Sequence, residues 1–521
     1  MTYLAVPIKV VDPDQAGVAL GQAVDAGAEM IELRLDFLAH PDPQTVRKVV
    51  TTAREKGKPV IATCRPPWEG GSFAGDESAR YQILGAAVKA GADYLDIELA
   101  CFDNPSFKLK NLLVSSSCKV IISNHDFDTK PADLTDRLKN IILHNPTVSK
   151  LAFRSHNIND NFAALDIIYE QNKAGRGVIA LAMGQAGVIS RLLARKLGAF
   201  LTFASLSEGF ESAEGQLTVK KMRETYRWDH INAHTSIFGV IGFPIAHSIS
   251  PAVHNAAFSE TGFNGLYLPM PVEPAKEVFF DYVDGLIDRK WLDVRGLSVT
   301  IPHKQFALEY IRQRHGKLEP LAQKIGAVNT IIIDNCGEVS GYNTDYAGAL
   351  DALTEALHIG RKELENMRTA VIGAGGVARA IVAGLSEYGC PVTIYNRTVA
   401  KAQRLADEFD CNYASLSELR DLSADLLVNA TSIGMYPAIG ATPVPAELLR
   451  KEMVVFDSVY NPIKTKLLCE AKQIGAKIID GVSMFVNQAS AQFELFTGRK
   501  APLGLLRKVM EIQLGLNQLP D

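Results

Sequence analysis

Through residues 1–225, short apolar, β-branched runs alternate with longer segments whose apolar positions recur every three or four residues. The runs begin at Tyr3 (YLAVPI), Met30 (MIELRL), Pro59 (PVIATC), Tyr94 (YLDIEL), Lys119 (KVIIS), Lys150 (KLAF), Gly177 (GVIALAM) and Phe200 (FLTFAS). Helical spacing is clear in AAVKAG before Ala92, in LTDRLKNIILH from Leu134 and in DNFAALDIIYEQNKAG from Asp160. Gly27, Gly57, Gly91, Gly175 and Gly198 each follow an apolar stripe, where helices commonly end. Eight strand–helix units of similar length predict a closed (β/α)8 TIM barrel in preference to an open sheet.

Residues 226–236 (YRWDHINAHTS) are polar, lack a period and read as a linker. A new start follows at SIFGVIGFPIAHS, and strand and helix patterns continue to about residue 345. From Arg368, RTAVIGAGGVARAIVAGLSEYG followed by PVTIYNRT reads as strand, glycine turn, helix and strand, a dinucleotide-binding βαβ unit. The halves share no period, so the chain is a fusion of unlike α/β domains. Its 521 residues fit that division, since a single core rarely exceeds about 250–300.

Composition excludes several classes. A hydrophobic fraction of 47% and a charged fraction of 21% are those of a globular protein, neither disordered nor fibrous. A net charge of -4 supplies no bulk field for nucleic acid or an anionic membrane. Seven scattered cysteines contain no C-x-x-C pair, which implies neither zinc nor a disulfide framework and points to a reduced, cytoplasmic setting. MTYLAVPIKVVD reads as a first strand and not a signal peptide, and no stretch of about 18 uncharged apolar residues suggests a membrane span.

In a barrel of this kind, polar residues at the C-terminal ends of the strands face the substrate. Those ends carry Glu32, Arg34, Arg65, Glu98, His125 and Lys150, with Arg191 just past the seventh strand. Buried charge inside a parallel sheet is costly, so seven such residues at one end point to a ligand site. Alone, Lys150 reads as a strand-edge lysine whose ammonium reaches water. In apolar surroundings near other cations it would lose its proton and attack carbonyls. His125 in SNHDF, one strand earlier, could then take a proton from the carbon beside an imine. Glu98 either orients that histidine or balances the arginines. Three arginines with one glutamate suit a small carboxylate carrying hydroxyls.

ELRLD (32–36), SNHDF (123–127), SKLAF (149–153), GVISR (187–191) and SAEGQ (212–216) resemble type I 3-dehydroquinate dehydratase, over the whole of residues 1–225. The resemblance implies that Lys150 forms an imine with the substrate ketone. His125 would remove the C2 proton and help expel the C1 hydroxyl as water, with Glu98 orienting it. Arg191 would hold the carboxylate; Glu32, Arg34, Arg65, Ser212 and Gln216 would hold hydroxyls or the covering loop. The family often has proline where this chain has Glu214, a difference that bears on the rigidity of that loop.

In the second half, Gly373-Ala374-Gly375-Gly376-Val377-Ala378 is a G-x-G-x-x-A turn placed between a strand and a helix. The next strand ends at Asn396, followed by Arg397, Thr398 and Lys401, where an NAD enzyme usually has a carboxylate for the ribose. That cluster accepts a 2′-phosphate, so NADP(H) is the expected cofactor. Lys304 in SVTIPHK and Asp345 in GYNTD are compatible with a proton-transfer pair for a ketone and an alcohol. Alone, Lys304 reads as a surface charge and Asp345 as the N-cap of the helix YAGALDALTEAL. Ser248, Ser250, Thr300 and Asn329 supply short polar groups suited to a polyol.

FPIAHSISPAVHN, SVTIPHK, GAVNT, NTD, GAGG, NRT, NATSIGM and DGVSMFVNQA, in that order from about residue 237, resemble shikimate dehydrogenase. The resemblance implies Lys304 and Asp345 as the catalytic pair, with Ser248, Ser250, Thr300, Asn329, Tyr460 and Gln488 on the substrate. Gly373, Ala374, Gly375, Gly376, Val377, Asn396, Arg397, Thr398, Lys401, Ser458 and Gly481 would hold the cofactor. Many relatives have asparagine at Ser298 and arginine at Lys401. The implied layout is a TIM barrel (1–225), a linker (226–236), a substrate-binding catalytic domain (237–345), a Rossmann NADP-binding domain (346–485) and C-terminal helices (486–521) returning to the substrate domain.

In this order the halves resemble bifunctional enzymes best known from plants, in which the first product, 3-dehydroshikimate, is the second substrate. The implied ligands are 3-dehydroquinate, 3-dehydroshikimate or shikimate, and NADP(H), with no metal. Two alternatives are a quinate dehydrogenase using NAD in the second half and a metabolite sensor with dead domains. The absent carboxylate at 396 and both serines of SIS argue against the first. A sensor should have lost one of Lys150, His125, Lys304 or Asp345, and all four are present.

Overall fold

The computed structural model describes residues 2–104, 107–113 and 116–515. Contacts divide the chain into two units, Met1–Ser236 with Leu268–Leu286 and Ile237–Tyr267 with Ile287–Asp521.

The first unit is built on eight parallel strands: β1 (Tyr3–Lys9), β2 (Met30–Arg34), β3 (Val60–Thr63), β4 (Tyr94–Glu98), β5 (Lys119–Asp126), β6 (Val148–Arg154), β7 (Gly177–Met183) and β8 (Leu201–Phe203). Their order is β7-β6-β5-β4-β3-β2-β1-β8, each beside its chain neighbour except at the seam. There the Phe200 N–H donates to the Val178 carbonyl of β7 (2.8 Å), bringing the two edges together. Helices between strands start on aspartates: Asp12 accepts from the Asp14 and Gln15 N–H groups, and Asp42 from those of Gln44 and Thr45. They stop at the five glycines named above, all at φ between 68° and 98°, where a side chain would be strained.

Alternation along each strand sends every second residue into the barrel. The lower interior is apolar, with Ala5, Met30, Ile61, Tyr94, Ile121, Val148, Ile179 and Leu201 in one cluster. Two residues further along β2, β4, β5 and β6 the same face carries Glu32, Asp96, Ser123 and Lys150, all buried. The strand pattern thus turns from core to chemistry within one pleat. Residues 226–236, read above as a linker, are packed: Trp228 is fully buried, and its indole Nε1 donates to Glu29 (3.4 Å) beneath Arg195. Tyr226 and Ile231 are buried too. The apolar residues are spaced too irregularly for a helical or strand period, which is why the segment looked like linker.

Two further sheets follow the barrel in the chain. One comprises β9 (Ser236–Gly242), β10 (Gly265–Pro271), β11 (Val294–Val299), β12 (Lys317–Leu318), β13 (Thr330–Ile333) and β14 (Val339–Tyr342), in the order β10-β9-β11-β13-β14-β12. It is mixed: β9 and β11 run parallel, while β13 is antiparallel to both β11 and β14. The other is wholly parallel: β15 (Thr369–Ile372), β16 (Val392–Asn396), β17 (Asn412–Ser415), β18 (Leu426–Asn429), β19 (Val454–Asp457) and β20 (Lys477–Ile479). Its order, β17-β16-β15-β18-β19-β20, is that of a Rossmann fold, with a switch point at β15 and β18.

Helix Gly481–Thr497 follows β20, yet its Val486, Ala489, Phe493 and Phe496 pack with Phe238, Val240 and Phe258 of the mixed-sheet core. Leu506 and Met510 of helix Leu503–Gln513 join the same core; residues 516–521 of the C-terminal segment lie outside the described residues. The helix Thr344–Leu357 lies so close to Gly481–Thr497 that a Cβ on Gly348 would stand 2.7 Å from the Gln488 backbone nitrogen. That approach sets Asp345 and Gln488 on adjoining helices.

Candidate active sites

A cavity of about 60 Å3 opens in the first unit and is lined by Glu32, Arg34, Arg65, His125, Lys150, Arg191, Ser212 and Gln216, together with Glu69. Lys150 projects from β6 with its Nζ 2.7 Å from Asp96 Oδ2, 3.9 Å from Glu32 and 5.0 Å from the Phe203 ring centre. The setting is apolar on Ala152, Leu181, Met183 and Phe203 and holds Arg34, Arg65 and Arg191, but the charges that meet the ammonium directly are the carboxylates of Asp96 and Glu32. Asp96 therefore pairs with the resting ammonium and fixes its position; Lys150 must shed its proton before attacking a carbonyl. Burial alone would raise Asp96, but Arg65 and Lys150 hold it well below the usual carboxylate range.

His125, at the end of β5, places Nδ1 2.8 Å from Glu69 Oε2. Burial, with Arg65 and Lys150 nearby, holds the imidazole well below its ordinary value, so it is neutral and able to accept a proton. Burial pushes Glu69 up to about 8 despite Arg65. Glu98, expected to orient His125, is instead engaged on both oxygens by arginines: Oε1 by Arg65 and Oε2 by Arg80, each at 2.6 Å. The orienting carboxylate is Glu69, on the short turn Pro67–Glu69 after β3. Its signal was the spacing Arg65-x-x-x-Glu69, invisible to a reading confined to strand ends.

Arg191 is 1% exposed, and its Nε and Nη1 have no hydrogen-bond partner among the described residues. Burial lowers this guanidinium to about 10, the mark of a cation desolvated ahead of its counterion. Arg34, by contrast, forms a fork with Asp36, and Arg65 is spent on Asp96, Glu98 and Ser123. Glu32 accepts from Thr63 (2.8 Å), and Gln216 and Ser212 bond to each other on the covering loop. Arg191 is the arginine left for a carboxylate. Arg191→Met should raise KM for a carboxylate substrate on the order of 100-fold, the effect of losing a buried charge partner. The same change should raise the Tm of the free protein, because an uncompensated buried charge is removed. A lower Tm in calorimetry would sink this reading.

The second unit holds a cavity of about 210 Å3 lined by Ser250, Thr300, Lys304, Asn329, Asp345, Tyr460 and Gln488, with Val377, Ser458 and Gly481. Lys304 opens the helix Lys304–Gln313, and its Nζ lies 2.6 Å from Asp345 Oδ2. The other oxygen of Asp345 accepts from Asn329 Nδ2 (2.9 Å). Asp345 does not cap its helix; Asn343 does, accepting from the Asp345 N–H (3.1 Å), which leaves the carboxylate for Lys304. Ser248 is not among the lining residues; its Oγ accepts from the Ser250 N–H (3.4 Å).

Two polar lining residues, Ser298 and Gln492, were missed as site residues. Ser298 accepts from Tyr267 (2.6 Å) and donates to Gln492 Oε1 (2.7 Å), while Gln492 Nε2 donates to Thr330 (3.0 Å). Ser298 stood out only as a departure from the family pattern. Gln492 lies one helical turn after Gln488, so the i, i+4 rule would have found it.

The glycine turn fits a dinucleotide. Gly373 has φ +114°, and a Cβ there would lie 3.0 Å from the Ala430 carbonyl oxygen. Among the described residues nothing lies within 4 Å of a Cβ on Gly375 or Gly376, so a phosphate can approach the backbone at the start of helix Gly376–Glu387. No side chain caps that helix. At the end of β16, Asn396 Nδ2 donates to the Thr398 carbonyl (2.9 Å), and Arg397, Thr398 and Lys401 are exposed.

These features define a barrel with a buried lysine–histidine site joined to a dinucleotide-binding reductase. Family models agree: the Type I 3-dehydroquinase family matches residues 4–233, and the shikimate dehydrogenase substrate binding domain matches 240–331. Shikimate / quinate 5-dehydrogenase matches 355–457, and the shikimate 5'-dehydrogenase C-terminal domain matches 481–511. The chain is 35% identical over 524 residues to the bifunctional 3-dehydroquinate dehydratase/shikimate dehydrogenase, chloroplastic, of Arabidopsis thaliana, covering 98% of this chain and 84% of the relative. The chain belongs to the family of bifunctional 3-dehydroquinate dehydratase/shikimate dehydrogenases. Its second half is also 41% identical to the shikimate dehydrogenase (NADP(+)) of Methanosarcina barkeri, over 53% of this chain and 97% of that one. A crystal structure of a shikimate dehydrogenase in complex with NADP+ superposes with a TM-score of 0.50 at 38% identity, covering 55% of this chain and 97% of that one. No helix among the described residues is long and apolar enough to cross a membrane.

Proposed function

We propose that the first unit dehydrates 3-dehydroquinate through an imine on Lys150 and that the second reduces the product, 3-dehydroshikimate, to shikimate with NADPH. The buried Lys150–Asp96 and His125–Glu69 pairs in one cavity support the first step most directly. Lys150, held by Asp96, loses its proton to solvent water and attacks the ketone carbon; water leaves as the imine forms. Arg191 holds the substrate carboxylate, and Ser212 and Gln216 close over its hydroxyls. His125, aligned by Glu69, removes the C2 proton and passes it to the C1 hydroxyl, which departs as water. Hydrolysis of the imine then frees Lys150, so one water is lost overall.

In the second unit, Lys304 gives a proton to the ketone oxygen, and Asp345, itself held by Asn329, keeps the ammonium in place. Ser250, Thr300, Tyr460 and Gln488 face the ring hydroxyls. The glycine turn, Asn396 to Thr398 and Lys401 would bind NADPH, which supplies the hydride when bound. We assign residues 237–345 and 346–485 to substrate and cofactor domains respectively.

Mixing the chain with 3-dehydroquinate and NADPH should yield shikimate and consume one NADPH per molecule; accumulation of 3-dehydroshikimate alone would refute the second activity. Arg397→Asp should lower the NADPH-to-NADH ratio of kcat/KM by about 100-fold, equivalent to ~3 kcal/mol. An unchanged ratio in steady-state rates would remove Arg397 from the 2′-phosphate site.

A further inference from the structure

Behind the dehydratase cavity lies a chain of alternating charges that the mechanism above does not use. Arg80, on helix Glu77–Lys89, is 0% exposed, and so is Glu98. Arg80 donates through Nη1 to Glu98 Oε2 (2.6 Å) and the Cys64 carbonyl (3.1 Å), and through Nε to Glu77 (3.0 Å). Its Nη2 reaches Glu77 (2.8 Å) and Cys101 Sγ (2.9 Å). Glu98 Oε1 in turn holds Arg65 Nη1 (2.6 Å), and Arg65 Nη2 holds Asp96 (2.9 Å), the partner of Lys150.

One distance gives this chain a purpose. Arg65 Nη1 is 3.8 Å from Glu69 Oε2, the same oxygen that binds His125 Nδ1 at 2.8 Å. Glu98 and His125 thus stand on opposite sides of a competition: Arg65 can pair fully with Glu98 or with Glu69. A direct Arg65–Glu69 pair would occupy the oxygen that orients the histidine. Without Arg80 the Glu98 carboxylate loses the partner that fixes Oε2, so the place of Oε1, which holds Arg65 Nη1, is no longer set.

We propose that Arg80 is a positioning residue for the dehydratase: by anchoring Glu98, it holds Arg65 off Glu69 and keeps Glu69 Oε2 for His125. The inference rests on the imine reading of Lys150 and predicts which step depends on Arg80. Imine formation needs Lys150 and Asp96 and should survive its loss; proton removal by His125 should not.

The test uses the full chain carrying Arg80→Met, Arg80→Lys and Glu98→Gln. Borohydride reduction with 3-dehydroquinate, followed by mass spectrometry, counts the sites that form the Lys150 adduct, and turnover is expressed per trapped site. In Arg80→Met and Glu98→Gln, kcat per trapped site should fall on the order of 10–100-fold, as for a small misplacement remote from the chemistry. KM should change little. Arg80→Lys, which keeps the charge, should recover part of the rate. The pH profile should also move. Glu69 is faced by Arg65, Glu98, Asp96 and Lys150, and His125 by Arg65, Lys150, Asp96 and Arg34. An Arg65 released toward Glu69 favours its ionised form, so the ionisation limiting kcat should shift to lower pH. Parent-like kcat per trapped site with an unmoved profile would overturn the proposal. So would variants that form no adduct, because Arg80 would then serve folding alone. Failure of the parent protein to form any Lys150 adduct would instead refute the imine reading.

Discussion

Lys150→Ala should lower kcat/KM for dehydration of 3-dehydroquinate by at least about 10^4-fold. Reduction of 3-dehydroshikimate with NADPH should stay within about twofold of the parent, as expected for independent sites. The size follows from what Lys150 contributes: without its nitrogen there is no imine, and His125 must take a proton from a carbon activated only by a ketone. The fold should survive the change. Asp96 Oδ2 keeps Arg65 Nη2 at 2.9 Å, so no buried carboxylate is orphaned. The cost therefore stays below the about 3–5 kcal/mol of a broken buried pair. Borohydride with substrate should add mass to the parent's Lys150 peptide and leave the variant unlabelled. Parent-like dehydration by the variant would remove the central residue of the mechanism.

Much of that site was legible because barrel strands obey a period of two. Met30, Glu32 and Arg34 lie on one face of β2, and Val148, Lys150 and Ala152 on one face of β6, so a strand-end reading lands in the cavity. The reading failed where geometry leaves the strand. Glu98 and Asp96 share a face of β4, yet two arginines claim Glu98, one of them, Arg80, from a helix behind the wall. Glu69 sits on a turn with no periodicity, where only its spacing from Arg65 marks it. No single-strand pattern reports which of three buried carboxylates meets the histidine, because that depends on how neighbouring cations are shared. The same limit explains Lys150: its apolar flanks gave no sign that its ammonium meets Asp96 of β4, two strands away.

The reductase differs in kind. Its glycine turn and the polar end of β16 are local features, readable in one window of sequence. Lys304 and Asp345 are not; each had a bland reading as a surface charge or a cap. Asn343 takes the capping role, and the close approach of Gly348 to Gln488 fixes the helix on which Asp345 stands.

Because Lys304 and Asp345 share one proton-handling task, their losses should not add. Lys304→Met and Asp345→Asn should each lower kcat for reduction of 3-dehydroshikimate by about 10²–10⁴-fold, the usual contribution of a positioned acid–base group. The double variant should fall within about threefold of the worse single one, since residues acting as a unit are strongly non-additive. Dehydration by the same preparations should be unchanged, which controls for protein quality. Asp345→Asn keeps an oxygen able to accept from Asn329 Nδ2, which lies 2.9 Å from Oδ1 and also donates to Thr344 Oγ1, so the helix start should remain formed. Substrate KM should accordingly move less than kcat. If the two losses multiply in the double variant, Lys304 and Asp345 act independently, and the 2.6 Å contact between them is an ion pair of the resting protein with no shared part in proton transfer.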